Sequence, residues 1–426
     1  MKLSILVITI LAFTSCKMSG VKSVCLAKPQ GSTYPYAQVE PSIAIHPKDQ
    51  NIQIAGTVLD DYYYSIDAGK TWTSSTMKST YGVYGDPVLM FDSAGTAYYF
   101  HLASYDKATH LDRIVCQRVD QVNGEFTTGT SPEPNGTKTQ DKHWICVDPQ
   151  TNHLYMTWTQ FDSYNSGLSE DSSIIFFSKS LDKGDTWSTP VRISKFAGDC
   201  LDDDNTVEGA VPAVGKNGEL FVVWAGPKGL VLQKSSDKGE TWLEEEQIIG
   251  PQFGGWTLDI PGISRANGLP ILVSDCSQGS NRGNLYLNWC DQRNGTDDTD
   301  SWLSVSKDDG KSWTEPIKVN QDKGPAHQFF TWMSIDQSTG NLYFVYYDRR
   351  DSKGDETDVY SARSIDGGKS FTEMKITKKS FTPNKEVFFG DYLNIASVNG
   401  TIRAIYPRMD NEKISLWVAH LFDKNF

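Results

Sequence analysis

The chain is short of several things that would point to common classes of protein. Cysteine is scarce, seven in 426 residues, and no C-x-x-C or Cys/His metal spacing occurs. Basic residues are in deficit, 40 Lys and Arg against 53 Asp and Glu, a net charge of −13. A general nucleic-acid binder needs a basic face, so that class is set aside and no nucleic-acid partner is expected. Long segments of helical period are absent. Beyond the first residues, no apolar run is long enough to cross a bilayer.

What is present is strand sequence. Short runs of Val, Ile, Tyr and Trp lie between clusters of Gly, Asn and Asp. One box recurs five times: SIDAGKTW at 65–72, SLDKGDTW at 180–187, SSDKGETW at 235–242, SKDDGKSW at 306–313 and SIDGGKSF at 364–371. Self-similarity at a long period marks a repeat architecture. In S-x-D-x-G-x-[ST]-[WF] the glycine supplies the positive φ of a tight hairpin. The aspartate accepts bonds from turn amides, the hydroxyls hold its carboxylate, and the aromatic residue plugs the seam beside the turn. The box is therefore a structural staple. The interval from 65 to 180 is about twice the others, and Arg118 to Phe126 reads as a decayed box within it.

Each unit also has a front half, an apolar strand, a turn and a second strand. Seven such halves occur, from VEPSIAIHPKDQNIQIAG at 39–56 to GDYLNIASVNGTIRAIY at 390–406. Seven units over residues 37–426 give one all-β, seven-bladed β-propeller domain. The last unit lacks a fourth strand, which Ser23 to Ala27 could supply, closing an open sheet edge. Because strands alternate in direction, the start of the first strand and the end of the second share one face, and the boxes occupy the other. Charged residues collect on the first face: Glu40, Asp86, Asp141, His143, Glu208, Gln328 and Asp391 at first-strand starts, and Asp291, Arg293, Asp348, Arg350 and Arg408 after second strands. Trp332 and Tyr392 add aromatic faces that suit sugar rings.

The repeats resemble the Asp-box, or BNR repeat, of sialidase-like β-propellers, for which a six-bladed ring is the alternative arrangement. The resemblance implies a carbohydrate-active exo-glycosidase acting on acidic or complex glycans. It implies Tyr392 as nucleophile beside Asp391, with Asp348 or Asp141 as acid/base. Arg293, Arg350 and Arg408 would clamp a substrate carboxylate. Glu40, Asp291, His143, Gln328 and Trp332 would complete the substrate site. Where such proteins begin the propeller with an Arg-Ile-Pro type motif, this chain has Val39-Glu40-Pro41-Ser42-Ile43. A non-catalytic glycan- or protein-binding propeller, and a polysaccharide lyase using His143 with Tyr392, are the other readings. Calcium is the natural guess for so many carboxylates, but no EF-hand-like spacing supports it, and neither cofactor nor metal is expected.

Lys2, the apolar run Leu3 to Phe13, and Phe13-Thr14-Ser15-Cys16 form a signal peptide that resembles a bacterial lipobox. The expectation is a monomer lipid-anchored through Cys16 at the cell envelope, with residues 17–36 as tether, and no other contact with the membrane. Of the six later cysteines, Cys276 and Cys290 flank one hairpin and could face each other.

Overall fold

A computed structural model describes residues 21–31, 38–104, 111–352 and 354–426. Cys16 and the lipobox lie outside the described residues. Among the described residues, seven antiparallel sheets follow one another along the chain, together with a two-stranded hairpin. Their first strands are Ser42–Ile45, Val88–Phe91, Thr139–Val147, Glu208–Val214, Ile271–Ser274, Gln328–Asp336 and Asn394–Val398. These seven strands touch in circular order, and the last meets the first, so the sheets are blades around one axis. The six-bladed alternative is thereby excluded.

Blades one and three to six have four strands in simple order. The second has three, with a single bridge between Cys116 and Thr130 in the place of the fourth. The seventh takes its outer strand, Lys22–Gly31, from the N-terminal side of the chain; it pairs with Lys413–Phe422 in the register Lys22 to His420 and Cys25 to Trp417. Aromatic residues fill the interior, among them Trp224, Trp289, Tyr98, Tyr286 and Tyr347, each fully buried.

The boxes form the turns between third and fourth strands. In the one at 306–313, Ser306 Oγ donates to Asp308 Oδ1 (2.9 Å) and accepts from Gly310 N (2.9 Å). Ser312 N donates to Asp308 Oδ1 (2.9 Å) and Ser312 Oγ to Oδ2 (2.6 Å). The glycines Gly69, Gly184, Gly239, Gly310 and Gly368 all have φ between 79° and 85°, and the residue before each is left-handed too. Close approach explains why glycine stands there. A Cβ would lie 2.7 Å from Cys116 Sγ at Gly184, 2.5 Å from Phe177 at Gly239, 2.5 Å from Leu232 at Gly310 and 2.5 Å from Leu303 at Gly368. Each of those atoms belongs to the third strand of the preceding blade. The box is thus a staple between blades as well as within one. The decayed box turns at Gln121 to Gly124, and its Phe126 packs edge-on against Tyr62 at 5.0 Å.

All six described cysteines are free. Cys276 and Cys290 do not meet. The first two strands of blade five pair Ser274 with Leu285 and Ile271 with Asn288, so Cys276 sits at the hairpin end and Cys290 at the opposite end.

Candidate axial site

The chain reaches the axis in a repeated way. Just before or within the start of six inner strands, one residue is left-handed: Glu40 (φ 53°), Asp86 (49°), Lys142 (47°), Gly209 (71°), Phe330 (53°) and Gly390 (84°). In blades three, four and six the strand register breaks at this point. A bulge of this kind re-aims a side chain, and a non-glycine residue at φ > 0 is uncommon enough to mark a site worth attention.

The side chains so placed converge. Lys142 Nζ lies 2.6 Å from Asp391 Oδ2, 3.7 Å from Asp86 Oδ2 and 3.8 Å from Glu40 Oε1, joining four blades at one ammonium. A hairpin between blades four and five, Thr257–Leu258 with Ala266–Asn267, adds a second cation. Its Arg265 holds Asp391 through both Nε (2.9 Å) and a terminal nitrogen, and reaches Asp202 Oδ2 at 2.9 Å. Asn267 Nδ2 donates to the Asp391 carbonyl at 2.9 Å, and Tyr164 Oη to Asp202 Oδ2 at 2.5 Å. Trp144 and Trp332 (4.4 Å between ring centres) pack under the cluster with Tyr392, which is 5.2 Å from Trp144.

The carboxyl groups of this cluster are driven in opposite directions. Burial works to raise Asp391, but Lys142 and Arg265 outweigh it and hold the group ionised, well below the usual range. Asp141, whose Oδ1 accepts from the Lys142 amide at 2.7 Å, is pushed up to about 7, by burial first and against the pull of Lys142. Glu40 is raised well above its ordinary value by burial and then by Asp86. Glu208 is raised likewise, by burial and then by Asp202. Burial, then Asp86 and Glu40, keep Tyr392 a phenol. A cluster that mixes a fixed carboxylate with a carboxyl titrating near neutrality has the makings of acid–base chemistry.

Of the residues expected from sequence, Asp391, Tyr392, Asp141, Glu40 and Trp332 come together here. The others do not join them. Arg293 is held by Asp291 of its own blade (2.6 Å) and lies over Trp302 at 4.3 Å. Arg350 is braced by Asp348 (2.6 Å) and Glu373 (2.7 Å). Arg408 pairs with Asp410 and donates to the Lys379 carbonyl at 2.7 Å. The three arginines are thus local braces in separate blades rather than one clamp, and Asp348 is an ion-pair partner there. The Gln328 carboxamide lies against Asp348 and Asn320, beside the same brace. His143 is buried beside His101; burial first, then His101, lowers it to about 3, so it stays neutral. The residues that sequence did not single out are Lys142, Arg265 and Asp202. Lys142 stands in the Asp141-Lys142-His143-Trp144 strand start and could have been found from its position in the repeat; Arg265 and Asp202 lie in segments with no counterpart in other blades.

The BNR repeat-like domain profile matches residues 152–387, more than half of the chain. The chain belongs to the BNR repeat-like domain family. Solved structures with the same fold include the NanB sialidase of Streptococcus pneumoniae, 9% identical, TM-score 0.50, covering 88% of this chain and 84% of that one. A Hadza microbial sialidase is 14% identical (TM-score 0.49; 88% and 73% covered). A Dyadobacter fermentans protein of unknown function is 10% identical (TM-score 0.49; 94% and 99% covered). At 9% identity the likeness of this BNR-repeat protein to NanB is one of fold. Comparison with curated protein sequences gave no match.

Proposed function

We propose that this BNR-repeat protein hydrolyses glycosidic bonds at the axial mouth, on a terminal sugar that carries no carboxylate. The observation that carries the reading is the pairing of Asp141, poised at about 7, with Asp391, held as a fixed anion through Lys142. Asp141 is the general acid: it protonates the leaving glycosidic oxygen and, as a carboxylate, then takes a proton from the incoming water. Tyr392 Oη attacks the anomeric carbon and gives its proton to Asp86, the carboxylate that bears on it most strongly. Water then attacks the anomeric carbon as Asp141 takes its proton, the bond between the sugar and Tyr392 Oη breaks, and Asp86 returns its proton to the departing phenolate. Lys142 and Arg265 orient Asp391 and set the field around it.

The substrate class follows from charge. Among the described residues, Glu40, Asp86, Asp141, Asp202, Glu208 and Asp391 face Lys142 and Arg265 as their cations, and both are already ion-paired. A substrate carboxylate would find no free partner among these described cations, so neutral or amino sugars suit the mouth better than the acidic glycans expected from the resemblance. The lyase reading has no support in a buried, neutral His143. A second reading, a glycan-binding propeller without turnover, draws on the tightness of the mouth: Glu40, Glu208 and Asp391 are 4% exposed or less.

A panel of 4-methylumbelliferyl glycosides, neutral, amino and sialylated, tests this on the chain lacking residues 1–20. The expected result is turnover of a neutral or amino glycoside that falls at least a hundredfold in Asp141→Asn. Glycan binding with no turnover would leave the binding reading standing, and preferred turnover of the sialoside would refute the substrate class. We further propose anchorage at the cell envelope through Cys16, read by incorporation of labelled palmitate that Cys16→Ala abolishes.

A further inference from the structure

A second concave site lies away from the axis, between blades two and three. It is a cavity of about 260 Å³. Trp158, Phe176, Ile114 and three prolines, Pro132, Pro134 and Pro190, wall it. Trp158 and Phe176 stack at 5.7 Å and 19°, presenting a continuous aromatic side.

The polar groups are arranged around that side. Trp158 Nε1 donates to Gln140 Oε1 at 2.6 Å, which fixes the indole. Gln160 Oε1 accepts from Asn135 Nδ2 at 2.9 Å, which fixes the carboxamide. Gln160 is 2% exposed and lines the cavity. Its oxygen takes all of its hydrogen bonds, from Asn135 and Gln140, and Nε2 is left as a donor with no protein acceptor. That nitrogen keeps access to the cavity, so a group bound there can accept from it. Thr189 and Glu133 stand exposed at the rim with further hydrogen-bonding capacity.

We propose that this groove is a carbohydrate subsite taking one neutral pyranose ring. A pyranose has an apolar C–H face for the Trp158 and Phe176 side, and a polar edge of hydroxyls to accept from Gln160 Nε2 and to meet the rim. The volume falls just under the roughly 300 Å³ at which drug-sized pockets begin, enough for a single ring. The site shares no residue with the axial cluster, so it does not depend on the hydrolase reading. It would hold a distant unit of a branched or polymeric glycan.

The test is saturation-transfer NMR and calorimetric titration of the chain lacking residues 1–20 with methyl β-D-glucopyranoside, methyl β-D-galactopyranoside and methyl N-acetyl-β-D-glucosaminide. At least one is expected to bind, and to weaken tenfold or more both in Gln160→Leu, which removes the donor, and in Thr189→Trp, which fills the groove from its exposed rim. Asp141→Asn should leave this binding unchanged. The proposal is overturned if no pyranoside binds, if a proline-rich peptide binds in their place, or if binding survives Thr189→Trp and is lost in Asp141→Asn.

Discussion

Lys142 and Asp391 are buried, 2.6 Å apart, and central to the axial cluster. At an effective dielectric of ~20, Coulomb attraction at that distance is about 6 kcal/mol. Taking each ion out of water costs several kcal/mol, so the pair as a whole contributes little net stability. Removing one partner is another matter, because the other charge stays buried. Asp391→Asn leaves Lys142 with only the longer contacts to Asp86 (3.7 Å) and Glu40 (3.8 Å) and should destabilise by about 3–5 kcal/mol. Lys142→Met should fall near the lower end of that range, about 3 kcal/mol, since Arg265 still holds Asp391. In the double variant the close pair is gone as a unit, Asp86 and Glu40 lose only their longer contacts, as they already do in Lys142→Met, and Arg265, whose side chain is 38% exposed, can turn to solvent. Its cost should match the larger single change rather than the sum, a coupling of about 3 kcal/mol. Urea unfolding followed by tryptophan fluorescence measures all three. Additive losses within about 0.5 kcal/mol, or a single-variant loss below about 1 kcal/mol, would refute the reasoning.

Acid should loosen the staples. Hydrogen bonds from box hydroxyls and amides hold Asp67, Asp237 and Asp308 at about 2, below the unfolded value. Their contribution is present above about pH 4 and is lost as pH falls through 2; melting temperature followed by circular dichroism should drop over that window, and less so once the three are changed to asparagine. Gly310→Ala should cost at least about 1 kcal/mol, through positive φ alone, with contact on Leu232 adding to it. Asp141 works in the opposite sense: its folded value of about 7 lies above the unfolded one, so its contribution is full below about pH 4 and is lost as pH rises to 7. Asp141→Asn should flatten that part of the stability–pH curve.

The fold was legible because a propeller writes itself repeatedly. Ser306, Asp308, Gly310 and Ser312 occupy the same turn geometry as their four counterparts, so one box explains all, and seven front halves count the blades. The division of faces was legible for the same reason: alternating strands put Glu40, Asp141 and Asp391 on one rim. The arginines show where this reasoning stops. Arg293 and Arg350 lie on the expected loops and Arg408 within the strand Thr401–Asp410, yet each has an acid two residues away in its own chain, Asp291, Asp348 and Asp410, and that local partner holds it. Conversely Arg265 reaches the axis from an inserted hairpin that no repeat announces. The value of Asp141 depends on burial and on Lys142, both products of the assembled ring.

The central claim, that chemistry sits at the axial mouth with Asp141 as its acid, is tested most directly by the pH dependence of kcat/KM on the best aryl glycoside. The rate should fall as pH rises through about 7, where Asp141 loses its proton. That limb should vanish in Asp141→Asn, with a loss of about 10²-fold or more, while Asp308→Asn on the opposite rim keeps both rate and profile. An unchanged profile in Asp141→Asn would contradict the account.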